Sequence, residues 1–212
     1  MPSFASCILC SLGLSMISRA SAALTDNAKM SVLYYTEYNH TKTLAEAIAD
    51  GARQVSGVDV TLLPISDADV TADVLLADAV VIGAPVHFGN VAAGLLTWVE
   101  DEWSPYWQTG NFSGKLGGIF TTGGGIAQGI EHVLASLHRT LMSYNFKVVT
   151  PDATKSGYAS YGVMAITGTA PFNLTGGAIA ECFVEPAQTY GAQIASATVT
   201  TKRLEAKCGT AK

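Results

Sequence analysis

Ser31-Val-Leu-Tyr-Tyr35-Thr36-Glu37-Tyr38-Asn39-His40-Thr41-Lys-Thr-Leu44-Ala45-Glu-Ala-Ile48 is the stretch on which the fold turns. Ser31 to Tyr35 is a short run of apolar, β-branched and aromatic residues, which reads as a strand. From Thr41 to Val55 the apolar residues Leu44, Ala45, Ile48, Ala49 and Ala52 recur at helical spacing, and Gly57 closes the run. The loop Thr36-Glu37-Tyr38-Asn39-His40-Thr41 therefore passes straight from a strand into a helix. Hydroxyls at Thr36, Thr41 and Thr43 stand beside the unpartnered N–H groups of a helix start, where the macrodipole favours an anion. Lys42 offers one further charge-assisted contact. Taken alone, the stretch fits an ordinary Thr-capped helix start equally well.

Working outward, strands and helices alternate. Val58 to Leu63 reads as a second strand ended by Pro64, Thr71 to Ala77 as a brief helix, and Asp78 to Gly83 as a third, fully buried strand. Val91 to Glu102 is expected helical, Leu116 to Thr122 a fourth strand, and Ile126 to Tyr144 a long helix with Ile130, Val133, Leu134, Leu137 and Leu141 on one face. A fifth strand starts at Phe146–Thr150, is interrupted from Pro151 to Ser160, and resumes at Tyr161–Thr167. A last helix is expected from Glu185 to about Arg203, with Pro186 near its first turn. Such alternation predicts an α/β domain over about 30–205, with a parallel sheet covered on both faces. Ligands of such sheets bind at the carboxyl ends of the strands, so the loops after strands one, three and four should converge.

The second of those loops is Ala84-Pro85-Val86-His87-Phe88-Gly89-Asn90 and the third is Thr121-Thr122-Gly123-Gly124-Gly125-Ile126-Ala127-Gln128-Gly129. The third is not a dinucleotide fingerprint, because Gln128 stands where Gly is required. The first loop resembles the flavodoxin phosphate signature. The second is similar to the Pro-Thr-Arg-Phe-Gly-Asn loop of WrbA-type NAD(P)H:quinone oxidoreductases, a flavodoxin-like FMN-binding family. The third resembles the same family's Gly-rich loop, and Tyr106-Trp107-x-x-Gly110-x-x-x-Gly114-Lys115 the stretch before its fourth strand. The resemblance spans about 31–203.

It implies a doubly wound five-stranded parallel sheet of order 2-1-3-4-5, here with an interrupted fifth strand. It implies FMN held by Thr36, Glu37, Tyr38, Asn39, His40 and Thr41, by Pro85, Val86, His87, Phe88, Gly89 and Asn90, and by Thr121, Thr122, Gly123, Gly124, Gly125 and Tyr144. Trp107 and Tyr38 are implied to line a quinone pocket. Three positions depart from the family. Asn39 replaces a small residue, and Asn tolerates a left-handed backbone better than most. His87 replaces Arg, and Tyr144 falls where the family has His. His87 and Tyr144 are the catalytic candidates, and Tyr does not titrate near neutral pH. The implied activity is transfer of two electrons from NAD(P)H to quinones by a homodimer or homotetramer. A one-electron flavodoxin-type carrier and a non-catalytic scaffold or stress protein stay open as alternatives.

Composition agrees with a small-molecule ligand. The 212-residue chain is 49% hydrophobic and carries a net charge of -5 with no Lys/Arg cluster, which disfavours nucleic acid. No His/Cys spacing suggests a metal site. Met1 to Ser18 has no ionised side chain, Cys7 to Ile17 is an apolar run too short to span a bilayer, and Ala20-Ser21-Ala22-Ala23 offers a cleavage pattern. Residues 1–22 thus read as a targeting segment to the secretory route or a plastid, with no transmembrane span in the mature chain. A cytoplasmic or membrane-associated protein is the alternative. Cys7 and Cys10 fall in that leader, and Cys182 and Cys208 remain. Sequons occur at Asn39, Asn111 and Asn173, and a glycan on Asn39 would occupy the phosphate loop.

Overall fold

The computed structural model describes residues 26–152, 154 and 160–209. The expected leader, with Cys7 and Cys10, lies outside the described residues. Strands β1 (Ala28–Tyr34), β2 (Val58–Pro64), β3 (Ala79–His87), β4 (Asn90–Val91), β5 (Leu116–Gly123), β6 (Lys147–Val148) and β7 (Val163–Ile166) alternate with helices α1 (His40–Arg53), α2 (Ala93–Trp107), α3 (Ile130–Ser143) and α4 (Glu181–Gly209). The sheet runs β2-β1-β3-β5-β6 in parallel, with β7 also on β5 and β4 hairpinned to β3. That is the expected 2-1-3-4-5 order, with β6 and β7 sharing the fifth position.

The interruption is visible in the register. Leu116 and Gly117 pair with β6, whereas Phe120 to Gly123 pair with β7. Between them Ile119 lacks a strand neighbour for its N–H. Tyr190 of α4 fills the gap: its buried hydroxyl accepts from Ile119 N at 3.2 Å and donates to Val149 O at 2.6 Å. Burial pushes the Tyr190 phenol far above its ordinary range, so it stays a donor. On the same face α4 crosses α1 with backbones nearly touching. A Cβ on Gly51 would lie 1.9 Å from Gln188 O, and one on Gly191 1.9 Å from Ile48 O. The crossovers β3→α2→β5 and β5→α3→β6 run the other way along the sheet from β1→α1→β2. Right-handed connections therefore put α2 and α3 on the opposite face. Central strands β3 and β5 are apolar almost throughout because both their faces are covered.

Several boundaries differ from expectation. The run Thr71–Ala77 yields only a single π-helical turn, Val70–Val74, capped by Asp69. α3 starts at Ile130, because Ala127 and Gly129 have positive φ (56° and 106°) and the chain turns there first. α4 starts at Glu181, so Pro186 lies inside the helix rather than in its first turn. β3 does not stop at Gly83; it carries Ala84, Pro85, Val86 and His87 as strand. Val86 pairs with Val91 and His87 with Asn90, leaving Phe88 and Gly89 as a two-residue turn. Both have positive φ (49° and 80°), the geometry of a type I′ hairpin. Gly129 abuts this tip, since a Cβ there would lie 2.6 Å from Gly89 Cα.

Candidate functional site

The loop after β1 enters α1 through Asn39, whose φ of 67° and ψ of -9° are left-handed and whose side chain makes no cap hydrogen bond. Asn is among the few non-glycine residues that hold this shape, as its place in the sequence required. With no side-chain cap, the first N–H groups of α1 face outward at the positive end of the helix. Thr43 N does bond back to Asn39 O at 2.9 Å, which closes the first helical turn behind them.

A cavity of about 140 Å³ opens at this point. It is lined by Thr36, Glu37, Tyr38, His40 and Thr41 from the first loop, Pro85, Val86 and His87 from the end of β3, and Thr122, Gly123, Gly124 and Thr167 from the ends of β5 and β7. The three expected loops do converge. Thr41 and Thr122 are buried, and their Oγ1 atoms lie 2.8 Å apart, tying the first loop to the third. The volume falls below the roughly 300–1,000 Å³ that encloses a whole drug-sized ligand, so this is a pocket for a small polar head.

A segment that the sequence did not single out closes the cradle. Thr167 N donates to Gly123 O at 2.8 Å. Thr43 Oγ1 donates to Gly177 O at 2.8 Å, and His40 Nδ1 lies 2.8 Å from Ala178 O. A carbonyl only accepts, so His40 carries its proton on Nδ1 there. Thr167 was legible: it is the carboxyl end of the interrupted strand, where the same rule that selected the other loops applies. Gly177 and Ala178 carried no signal of their own.

Other expected site residues lie around the cavity rather than in it. Thr121 is fully buried and donates to Ala84 O at 2.7 Å, so it braces β3 against β5. Gly125 does not line the cavity, and Asn90 serves the hairpin through Nδ2 to Phe88 O at 3.2 Å. Phe88 is fully exposed at the hairpin tip, and Tyr38 and Ile126 are also exposed. Lys42 points away to Glu46, an exposed pair at 3.8 Å of little energetic weight. A shallower cleft of about 620 Å³ shares Thr36 with the cavity and is walled by Tyr35, Pro64, Ile65, Gly94, Trp98 and Asp101.

Within one copy of the chain, Tyr144 and Trp107 lie away from the cavity. Tyr144 and Trp107 end helices that begin at the site and run back along the sheet. They therefore sit at its amino edge. Trp107 Nε1 donates to Ser143 O at 2.9 Å, and Asn145, the residue after Tyr144, accepts from Gly114 N just before β5 starts. Thr122 lies six residues further along β5 than Leu116, about 20 Å away at strand rise. Tyr144 packs against Trp103 and Phe112 at 5.4 and 5.5 Å between ring centroids, and burial raises its phenol above the ordinary range.

At the mouth of the cavity three titratable side chains meet. Tyr35 donates its hydroxyl to Glu37 Oε1 at 2.9 Å, and Glu37 Oε2 lies 3.6 Å from His87 Nε2. The bond to Glu37 is the main reason that the Tyr35 phenol is raised above its usual value.

Uncapped helix start, paired threonine hydroxyls and bare glycine backbone at a strand-order switch point define a flavodoxin-like protein with an anion cradle. Residues 36–157 match the NADPH-dependent FMN reductase family, and the chain belongs to that family. It is 36% identical over 170 residues to an NAD(P)H dehydrogenase (quinone) of Chromohalobacter salexigens, covering 66% of this chain and 84% of that one. In structure it is similar to a WrbA-like protein from Agrobacterium tumefaciens, with a TM-score of 0.63, 23% identity, and coverage of 81% of this chain and 98% of that one. An archaeal flavodoxin superposes with a TM-score of 0.59 at 16% identity, covering 80% and 98% of the two chains.

Proposed function

We propose that the protein binds FMN with its phosphate in the 140 Å³ cradle and passes two electrons from NAD(P)H to a quinone. The observation that carries this reading is the convergence of all three loops on that cradle. The donor set fits a phosphate monoester. Hydroxyls of Thr36, Thr41 and Thr122 surround it, the α1 N–H groups face it, and Glu37 is the one carboxylate among its lining residues. The relative from Chromohalobacter salexigens is named for the same donor and acceptor.

Bound FMN supplies a ring that takes up hydride and returns it. The chain's own residues do the rest. The cradle would hold the phosphate, and the β3–β4 hairpin and the glycine turn after β5 form its rim. Gly123 and Gly124 let a ligand approach the backbone there. His87, at the rim, is the side chain placed to hold or deliver a proton to a carbonyl oxygen, and Tyr144 of the same chain lies at the opposite edge of the sheet. One open rim serves nicotinamide and quinone in turn, which gives a ping-pong order. The exposed Phe88, Tyr38 and Ile126 around it support a homo-oligomer in which a second copy covers the rim. The apolar stretch before Ala22 supports N-terminal targeting, to be checked by sequencing the native amino terminus.

The test is direct. The purified protein should show a flavin absorbance band, release FMN on denaturation, and oxidise NADH or NADPH only when benzoquinone is present. Absence of flavin binding, or loaded protein that leaves benzoquinone unreduced, would defeat the proposal.

A further inference from the structure

Glu37 is held at both carboxylate oxygens by different elements. Oε1 accepts the Tyr35 hydroxyl at 2.9 Å, from the end of β1. Oε2 faces His87 Nε2 at 3.6 Å, from the end of β3. The Tyr35 and His87 rings also meet edge to face, at 6.3 Å between centroids and 77° between planes. Tyr35 is itself fixed. Its N–H bonds Gly83 O at 3.0 Å, and its ring lies where a Cβ on Gly94 of α2 would intrude at 2.6 Å. A chain of contacts thus runs from α2 through Tyr35 and Glu37 to His87, across the switch point between β1 and β3. Glu37 and His87 both line the cavity, and the residue paired with His87 across the hairpin is the uncharged Asn90.

We propose that Glu37 is a positioning residue that fixes the orientation and tautomer of His87 at the rim, and that Tyr35 in turn fixes Glu37. A carboxylate facing Nε2 favours the tautomer with the proton on that nitrogen, which leaves Nδ1 as the atom free to act on a substrate oxygen. At 3.6 Å the contact is longer than a formed hydrogen bond, so Glu37 biases the ring without locking it. The consequence for turnover rests on the redox reading above; the orientation of the ring does not.

The experiment compares Glu37→Leu and Tyr35→Phe, alone and in a His87→Gln background. Nitrogen NMR of the histidine-labelled protein as purified should show the Nε2-protonated tautomer of His87 in excess, and a shift toward the Nδ1-protonated tautomer in Glu37→Leu. With FMN bound, Glu37→Leu should lower kcat for benzoquinone about tenfold and Tyr35→Phe about threefold, below the hundredfold or more typical of removing a general acid itself. In Tyr35→Phe, KM for NADPH should stay within about twofold, and both losses of kcat should vanish when His87 is already Gln. An unchanged tautomer in Glu37→Leu, or an equal loss of kcat in the His87→Gln background, would overturn the proposal. If the loaded protein reduces no quinone, the redox reading falls, and the tautomer measurement still decides whether Glu37 positions His87.

Discussion

The amino and carboxyl edges of the sheet are built from the same strands, yet they treat their polar groups in opposite ways. At the amino edge the donors of Lys115 and Lys202 are consumed. Lys115 Nζ donates to Leu75 O at 2.7 Å and Ala77 O at 2.5 Å, and Lys202 Nζ to Asp78 at 2.8 Å and Asn27 O at 3.0 Å. Beside them Trp103 is buried in a nest with Trp98, Phe112, Tyr144 and Phe146. A hollow of about 220 Å³ exists at that edge, but the two lysines lining it are already engaged. At the carboxyl edge the helix start has no side-chain cap, and threonine hydroxyls and glycine backbone face a cavity. The first edge stabilises the fold; the second keeps donors available for a ligand. A hollow is informative only together with the state of the groups that line it.

If that division holds, damage to one edge should leave the other's property intact. The largest effect is expected from Trp103→Ala, which empties the centre of the aromatic nest. It should cost about 3–5 kcal/mol in urea unfolding, the range for truncating a buried large aromatic, while FMN affinity of the folded fraction stays unchanged. Trp103→Phe should cost far less, because the indole N–H is buried with no hydrogen-bond partner and its loss removes an unfavourable group. A tenfold weakening of FMN by Trp103→Phe would show that the edges are coupled.

The converse change is Thr41→Val, nearly equal in volume and placed at the other edge. It removes a buried hydroxyl that meets Thr122 at 2.8 Å inside the cradle. FMN should bind about tenfold more weakly, equivalent to about 1.4 kcal/mol for one lost hydrogen bond to a charged group. Unfolding of the flavin-free protein should shift by about 1 kcal/mol or less, because Thr122 alone loses its partner. Titration of flavin fluorescence checks the first number and urea unfolding the second. A variant that binds FMN as well as the parent would remove the phosphate from this cavity.

The same contrast explains how much could be read before the structure. The alternation of strands and helices and the convergence of three loops follow from period and punctuation, which are local properties of the chain, whereas the strand order followed from the family resemblance. Asn39 was legible too, since only a few residue types hold a left-handed turn and the loop required one. His87 was assigned to a loop because the pattern of buried residues ends near Gly83. Only the pairing of Val86 with Val91 reveals that the strand continues into a hairpin. Trp107 and Tyr144 lie away from the cavity of their own chain for a different reason. Each lies one whole helix away from the site, and helix direction turns an adjacent sequence motif into a distant side chain. Gly177 and Ala178, more than a hundred residues from His40 and Thr43, bond to them through backbone carbonyls, which leave no trace in residue type.

The smallest expected effect is also the most local. Asn39 holds φ at 67°, and its Cβ fills the space against Gly177, where an added Cβ would approach it to 2.6 Å. Asn39→Gly relieves the left-handed strain but gives the unfolded chain more freedom and empties that contact. These terms oppose each other at about 0.5–1 kcal/mol each, so stability should move little. The N–H groups of the α1 start keep their direction because the backbone shape is retained, so FMN affinity should be kept or slightly increased. Asn39→Val tests the same backbone from the other side. A β-branched residue does not adopt this conformation without strain, so the helix start should shift and FMN affinity should fall about tenfold, a loss of 1–2 kcal/mol. Equal affinities for the glycine and valine variants would mean that the left-handed turn does not aim the donors, and the helix start would lose its place as the anion-binding half of the cradle.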